Sequence, residues 1–447
     1  MKFVNVLFVV LLYCTHLSAQ VTLPNNLYFT HIGVEDGLCQ NTVCCILQDH
    51  LGFIWLGTKD GLTRYDGYRF RVFKHDAADP MSIGNNFIRV LYEDADGLIW
   101  IGTNVGVYIY NPETENFRKF DVATERGDVI SREVSSIKCD SSGDLWIGVN
   151  WQGVFRYDRR DESLELYEPV PGDTTSLSSV HVWDLCFDGD GNLWVGSQNG
   201  GLDRYDRETD RFVRHRLKGL SDVSRIVLDK QNQLLLGTMK DGLFSFNPYM
   251  GTCQPLLLDS GHKDLFVRAI FVRNSREVVV GTENGIYIYD CVTRKTRHVN
   301  QELGNPYSLS CKAVYSIYCD KEGALWIGTY FGGVNYLPPS SSLIFDKFYP
   351  IGHSDRLSGK AVREFVRDES GIIWIGTEDQ GLNRFDPVSG KFTHYNSRNI
   401  YLSCDNVHGL CVDGDRLYIG TFFGGFNIMD LKTNEIVALG SQMLPDD

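Results

Sequence analysis

The chain has 447 residues and a formal net charge of −14, from 43 Lys and Arg against 57 Asp and Glu. It therefore lacks the basic field that sequence-independent binding to nucleic acid or to an anionic membrane surface requires. Hydrophobic residues at 43% and aromatics at 12%, with no low-complexity tract, exclude a disordered chain.

Residues 1–19 read as an export signal. Lys2 supplies the positive start, Val4 to Tyr13 form the apolar core, and Leu17-Ser18-Ala19 precede a cut before Gln20. The apolar run is too short for a membrane span. Tyr13 stands where a lipidation signal at Cys14 would want a small residue, so soluble export is favoured over a lipid anchor. No later stretch is apolar and long enough to cross a bilayer.

Without Cys14, eleven cysteines remain and none forms a C-x-x-C pair, which removes the usual spacing of structural zinc sites and dithiol redox centres. Cys139, Cys186, Cys319 and Cys411 recur one or two residues before the aspartate that ends a strand, as small buried hydrophobes would. Cys39, Cys44, Cys45, Cys253, Cys291, Cys311 and Cys404 could include a disulfide; their spacing does not choose the pair.

Leu27 to His31 reads as an outer strand able to complete the last sheet of a closed ring. From there a run ending in Gly-Thr, or a close relative, returns nine times, with its glycines at 57, 102, 148, 196, 237, 281, 328, 376 and 420, spaced 41 to 48 residues apart. That period, with strand patterning inside each unit, is the signature of propeller blades. In the unit from Val314, strands are predicted at Val314 to Cys319, Ala324 to Thr329 and Val334 to Leu337, with a fourth, outer one around Ile344 to Phe348.

Six units carry the spacing D-x-x-G-x-x-W, at Asp49/Gly52/Trp55, Asp94/Gly97/Trp100, Asp140/Gly143/Trp146, Asp188/Gly191/Trp194, Asp320/Gly323/Trp326 and Asp368/Gly371/Trp374. Aspartate accepts from backbone amides ahead of it, glycine takes the positive φ of a tight hairpin, and tryptophan offers a large apolar face between blades. The units around Gln231 to Leu235 and Ser275 to Val279 lack this pattern and are expected to turn differently.

Asp188-Gly-Asp190-Gly-Asn192 opens like a calcium loop. Leu193 stands where the loop needs glycine and Asn199 where it needs its closing glutamate. No metal and no cofactor is assigned.

The expected fold is all-β. Four-stranded antiparallel blades form a seven-bladed propeller over residues 20–345, and 346–447 hold the first two blades of a second, incomplete one. A single nine-bladed ring is the alternative, outside the usual four to eight blades.

The pattern D-x-x-G-x-[IL]-W-[IV]-G-T followed by G-[GV]-[LV]-x-x-Y-D resembles the two-component regulator propeller repeat. The opening Phe29-Thr-His-Ile-Gly-Val-Glu35-Asp36-Gly37-Leu38-Cys-Gln-Asn41-Thr42-Val43, then Ile54-Trp55-Leu56-Gly57-Thr58 through Tyr65-Asp66-Gly67-Tyr68, is similar to the amino terminus of hybrid two-component sensors. The resemblance implies two seven-bladed periplasmic propellers ahead of an immunoglobulin-like module, a membrane helix, a histidine kinase, a receiver and an AraC-type DNA-binding domain. It also implies sensing of glycan breakdown products, and induction of the matching polysaccharide-utilisation genes.

On that resemblance the chain is expected to be the periplasmic part of a longer product. It would be membrane-attached only through a downstream helix, with no nucleic-acid contact of its own and a homodimer in the full-length sensor. It carries no phosphoacceptor helix or nucleotide-binding motif, so no catalytic activity is expected of this region.

Aligning the inner strands on their closing aspartate puts Cys44, Arg89, Ser135, Trp183, Ser224, Arg268, Tyr315, Arg363 and His408 in one register, beside β-branched neighbours that keep their character. A second varying set follows each Gly-Thr, including Lys59-Asp60, Asn150-Trp151-Gln152 and Tyr330-Phe331. Variation on a constant frame is what a recognition surface shows.

Sugars offer an apolar ring face to aromatics and hydroxyls to planar donors. The candidate ligand-binding residues are therefore Arg89, Trp151, Trp183, Arg225, Arg268, Tyr315, Tyr330 and Phe331, with an oligosaccharide as the expected partner. An acidic glycan would put more weight on the arginines. Against this, aromatics also fill the space between blades, and inner-strand arginines also satisfy buried carbonyls.

Two other readings stand beside the sensor. A propeller lyase or glycan-cleaving enzyme could recruit His181, His408, Glu364 and Asp184, though these show no compact spacing. A scaffold for protein partners fits any propeller.

Overall fold

The computed structural model describes residues 22–215, 217, 220, 222–257, 265–339, 347–348, 356–399 and 402–439. The export signal lies outside them. Among the described residues, regular structure is β apart from one turn of 3-10 helix at Val34–Asp36, and the strands form nine four-stranded antiparallel sheets. No helix among them is long and apolar enough to cross a membrane.

Two compact units divide the sheets. The first holds seven. Their inner strands, Val43–Gln48, Ile88–Glu93, Val134–Cys139, Val182–Phe187, Val223–Leu228, Val267–Val272 and Val314–Cys319, are neighbours in a cycle, the last lying against the first. The second unit holds two sheets, with inner strands Val362–Arg367 and Val407–Asp413.

The ring of the first unit is latched by its own amino-terminal strand. Thr30–Ile32 pairs antiparallel with Val334–Leu337, Thr30 opposite Tyr336 and Ile32 opposite Val334. Phe29, 1% exposed, enters the apolar cluster of Leu309, Leu325 and Ile327. Thr30–Ile32 thus fills the outer place that the sequence also offered to Ile344 to Phe348. Residues 344–346 lie outside the described set, and Phe348 packs on Phe385 and Phe392 of the second unit, at 4.9 and 5.4 Å between ring centroids.

The cores lie between sheets, which is why the repeat motif looks as it does. Ile88, Val134 and Val43 are buried against the Gly-Thr strand of the preceding sheet in the ring. A Cβ added at Gly102 would stand 2.6 Å from Val134 Cγ1, and one at Gly328 would stand 2.8 Å from Val43 Cγ1. The glycine is a socket for the next blade. The threonine after it closes the hairpin: Thr58 Oγ1 donates to the Gly61 carbonyl at 2.8 Å, and Thr103 to Gly106 at 2.9 Å.

The aspartate of D-x-x-G-x-x-W does more than turn the chain. Asp49 Oδ1 accepts the Phe53 amide at 2.9 Å, while Oδ2 accepts the indole N–H of Trp55 at 2.8 Å. The same indole bond recurs at Asp94, Asp140, Asp188, Asp320 and Asp368. It satisfies the one polar atom of a ring otherwise wedged between blades, as where Trp55 meets Tyr110 of the next sheet at 5.0 Å.

Asp188 makes this ordinary hairpin, and no group of three potential metal ligands is found among the described residues. The fifth unit, expected to turn differently, keeps the turn: Asp229 Oδ1 accepts the Gln231 and Gln233 amides, and Asn232 takes φ 60° in the glycine's place. The sixth does differ, with Asn274 accepting the Arg276 and Glu277 amides and no positive φ between them.

The four repeat-position cysteines are not uniformly buried. Cys186 is buried, Cys139 and Cys319 are half-buried, and Cys411 is exposed on the last sheet. All eleven described cysteines are free thiols.

Candidate functional site

Each of the nine inner strands skips one residue in its ladder to the second strand. Val43 pairs with Thr58 and Cys45 with Gly57, which leaves Cys44 unpaired between them. The same irregularity sets aside Arg89, Ser135, Trp183, Ser224, Arg268 and Tyr315 in the first unit, and Arg363 and His408 in the second. A β-bulge bends the strand and re-aims a side chain. The varying register read from the sequence is thus the set of bulge residues. They sit where the inner strands begin and the Gly-Thr hairpins turn, and the seven of the first unit lie at one mouth of its ring.

Around this mouth, aromatic rings and cations follow each other in contact. Trp183 meets Phe266 edge-on at 6.2 Å; Ser224, the bulge residue of the sheet between them, is small. The Arg268 guanidinium lies 4.0 Å from the Phe266 ring centre and 4.4 Å from that of Tyr315. Tyr315 reaches Tyr330 at 5.1 Å, Lys59 Nζ sits 4.1 Å from the Tyr330 ring and 5.7 Å from Phe87, and Arg89 covers Phe87 at 4.1 Å. Phe331 stands on Tyr330 at 4.3 Å and is 72% exposed.

Six of the eight sequence candidates, Trp183, Arg268, Tyr315, Tyr330, Phe331 and Arg89, therefore share one arc. Arg225 is not a bulge residue: it follows Ser224, pairs opposite Gly237, and donates from Nη1 to the Ser224 carbonyl at 2.8 Å. Trp151 stands apart on the rim, 64% exposed, at φ 69°, with its indole edge-on to His181 at 4.1 Å. A tryptophan in the left-handed region is an outlier that the surrounding loop must enforce.

Carboxylates fix the arginines from one side. Arg89 donates to Asn104 Oδ1 at 2.7 Å and pairs with Glu133 at 3.2 Å; Arg268 Nε meets Glu283 at 2.5 Å. Burial pushes the Cys44 thiol up to about 11, and Arg89, Lys59, Arg268 and Arg225 all pull it the other way, so the field at that point is cationic. Burial lowers the pKa of Arg225, as do Arg268 and Arg89, against the opposing charge of Asp184. Burial also raises the Tyr315 phenol to about 12, which keeps it a proton donor at neutral pH. Trp183 Nε1 is a buried donor with no hydrogen-bond partner among the described residues.

Phe87 and Phe266 were missed. They stand one residue before the β-branched start of their strands, a register the repeat also exposes. The catalytic candidates are dispersed. Asp184 accepts from Ser136 Oγ at 2.9 Å, the Leu185 amide at 2.9 Å and the Ile226 amide at 3.1 Å, and is tied into the joints between sheets. His181 sits under Trp151, while Glu364 and His408 belong to the second unit.

A cyclic stack of four-stranded sheets with side chains displayed at one mouth is a β-propeller whose blades are structural and whose mouth carries the variation. The particular kind is given by comparison. The two component regulator propeller family matches residues 37–60, 82–105, 176–199 and 308–331. Those four stretches, each spanning the end of one sheet's loop and the first hairpin of a blade, are similar to two-component regulator propeller repeats.

A stretch of 59 residues is 39% identical to histidine kinase P4 of Formosa agariphila, covering 13% of this chain and 4% of that protein. An extracellular domain assigned to a hybrid two-component system of B. thetaiotaomicron superposes with a TM-score of 0.76 at 26% identity, over 93% of this chain and 55% of that one. The chain thus spans about half of that domain and a small part of the kinase. Virginiamycin B lyase from Staphylococcus aureus shares the fold, with a TM-score of 0.54 at 12% identity, covering 71% of this chain and 100% of the lyase.

Proposed function

We propose that this chain is the periplasmic ligand-sensing region of a hybrid two-component sensor, and that the mouth of its first ring binds an oligosaccharide released by glycan breakdown. The single observation that carries this reading is the unbroken arc from Trp183 to Arg89, in which flat apolar faces alternate with fixed cationic donors. Pyranose rings stack on such faces while their hydroxyls meet planar donors. The export signal and the likeness to an extracellular sensor domain support placement outside the cytoplasm.

Transmission would pass to a histidine kinase outside this sequence. It requires the ligand to bind two arrangements of the sensor unequally, since a ligand indifferent to both shifts neither. A homodimer of the full-length sensor is part of this reading. The enzyme alternative is disfavoured because Asp184 is occupied as a structural acceptor. A scaffold role would leave the fixed cation and aromatic arc without a purpose.

Calorimetry of the chain against a panel of oligosaccharides, run beside an assay for new reducing ends, tests the proposal. Saturable binding without turnover, weakened about tenfold or more in Tyr315→Ala, is the expected result. Turnover of a bound glycan would overturn it, and so would the absence of binding across the panel.

A further inference from the structure

The bulge positions differ from the chain as a whole in charge. In a chain with 57 acidic and 43 basic residues, the seven bulge positions of the first unit include two arginines and no carboxylate. Each cation there is stacked. Arg268 lies between Phe266 and Tyr315, Lys59 approaches both Tyr330 and Phe87, and Arg89 covers Phe87.

Stacking holds a guanidinium plane and excludes water from its faces, so recognition is left to the edge. A guanidinium carries five N–H donors in a rigid fork. Glu283 takes the Nε of Arg268, while Asn104 and Glu133 take the Nε and Nη1 of Arg89. Neither set exhausts the fork. Arg225 adds a further cation, half-buried beside Asp184, with Arg268 and Arg89 in its field. The unpartnered Trp183 Nε1 supplies one more donor in search of an oxygen.

We propose that this mouth contains an anion subsite, in which Arg268, Arg89, Lys59 and Arg225 receive a carboxylate or sulfate carried by the ligand. The inference rests on reading the mouth as the ligand site, and it narrows the ligand to acidic saccharides. The arginine edges make bidentate contacts to the anionic group, and Tyr315 and Tyr330 meet the ring that bears it.

Calorimetry of the full chain at fixed ionic strength with glucuronate, glucose and inorganic sulfate separates the possibilities. The expected result is binding of glucuronate at least about tenfold tighter than glucose, competition by sulfate, and loss of the preference in Arg268→Gln and Arg89→Gln with the melting temperature retained. Lys59→Ala, at a half-buried loop residue, serves if an arginine variant does not fold. It should weaken glucuronate several-fold more than glucose.

Equal affinity for glucose and glucuronate would overturn the subsite, as would a preference that survives every variant. Binding of neutral oligosaccharides without acid preference would overturn it while leaving the sensor reading intact. Binding of glucuronate and sulfate with no oligosaccharide bound would support it while removing that reading.

Discussion

The two units are written in the same repeat and meet different fates. In the ring, Val314 is fully buried over the Gly281 socket, where an added Cβ would stand 2.6 Å from its Cγ1. Its counterpart in the second unit, Val362, is 47% exposed, and Phe365 on the same strand is 71% exposed. At the other side of that unit, the nearest atom to a Cβ on Gly420 is the Gly409 carbonyl oxygen at 3.8 Å, whereas Gly376 is filled by Val407. A blade thus carries half of two cores and completes neither alone. Its burial is a property of its neighbours, which is how a repeat array is stabilised.

That contrast can be broken most forcefully at the latch. Phe29→Ala removes a fully buried ring from the closing sheet and should cost about 3–5 kcal/mol in chemical denaturation, with little change in the unfolding of the second unit. An equal loss in both units would show that they do not unfold separately.

A pH experiment sharpens it next. Asn335, Asn383 and Asn427 each accept the backbone amide of a serine, Ser310, Ser358 and Ser403, from a fully buried site. In the fourth sheet the place belongs to Asp203. Its Oδ2 accepts from Ser178 N and Oγ at 2.9 and 2.6 Å, while Oδ1 has no partner among the described residues.

Burial raises the Asp203 carboxyl to about 6, against the Ser178 bonds and the charge of Arg214. Folding therefore favours the protonated form: the stabilisation is complete below about pH 4 and is lost as pH rises through about 6. Asp203→Asn should gain about 2–3 kcal/mol at pH 8 and almost nothing at pH 4. Asn383→Asp should impose that same dependence on the second unit, costing stability at pH 8 and almost none at pH 4. Flat profiles in both would refute the assignment.

The smallest effect comes from the sockets. Gly328→Ala should destabilise the ring by about 1–3 kcal/mol through clashes with Ser316 Oγ of its own sheet and with Val43 of the next, while Gly420→Ala should change stability by less than about 0.5 kcal/mol. Equal costs at the two sites would mean that Gly328 is required for its backbone alone.

Strand positions and the bulge register were legible in the sequence because both recur with the blade period, and so the set from Cys44 to Tyr315 could be aligned without coordinates. The indole-to-aspartate bond was written there too, as a constant spacing from Asp49 to Trp55, but a spacing does not say that the two side chains meet. The arc itself was out of reach, because Lys59 touches Phe87 from one blade to the next and Trp183 meets Phe266 across an intervening sheet. Contacts of that kind depend on ring curvature, which no local pattern encodes. Cys411 defeated the repeat argument for a related reason: its register was read correctly, but its exposure is set by what lies beside the last sheet.

The bulge has an evolutionary consequence. Arg89, Arg268 and Tyr315 hang outside the ladder, so exchanging one of them disturbs no backbone ladder bond and no glycine socket. If the mouth binds ligand as proposed, descendants of this gene can retune recognition one codon at a time while remaining above the stability threshold. Diversity among proteins built on this repeat should accumulate at these dangling positions first.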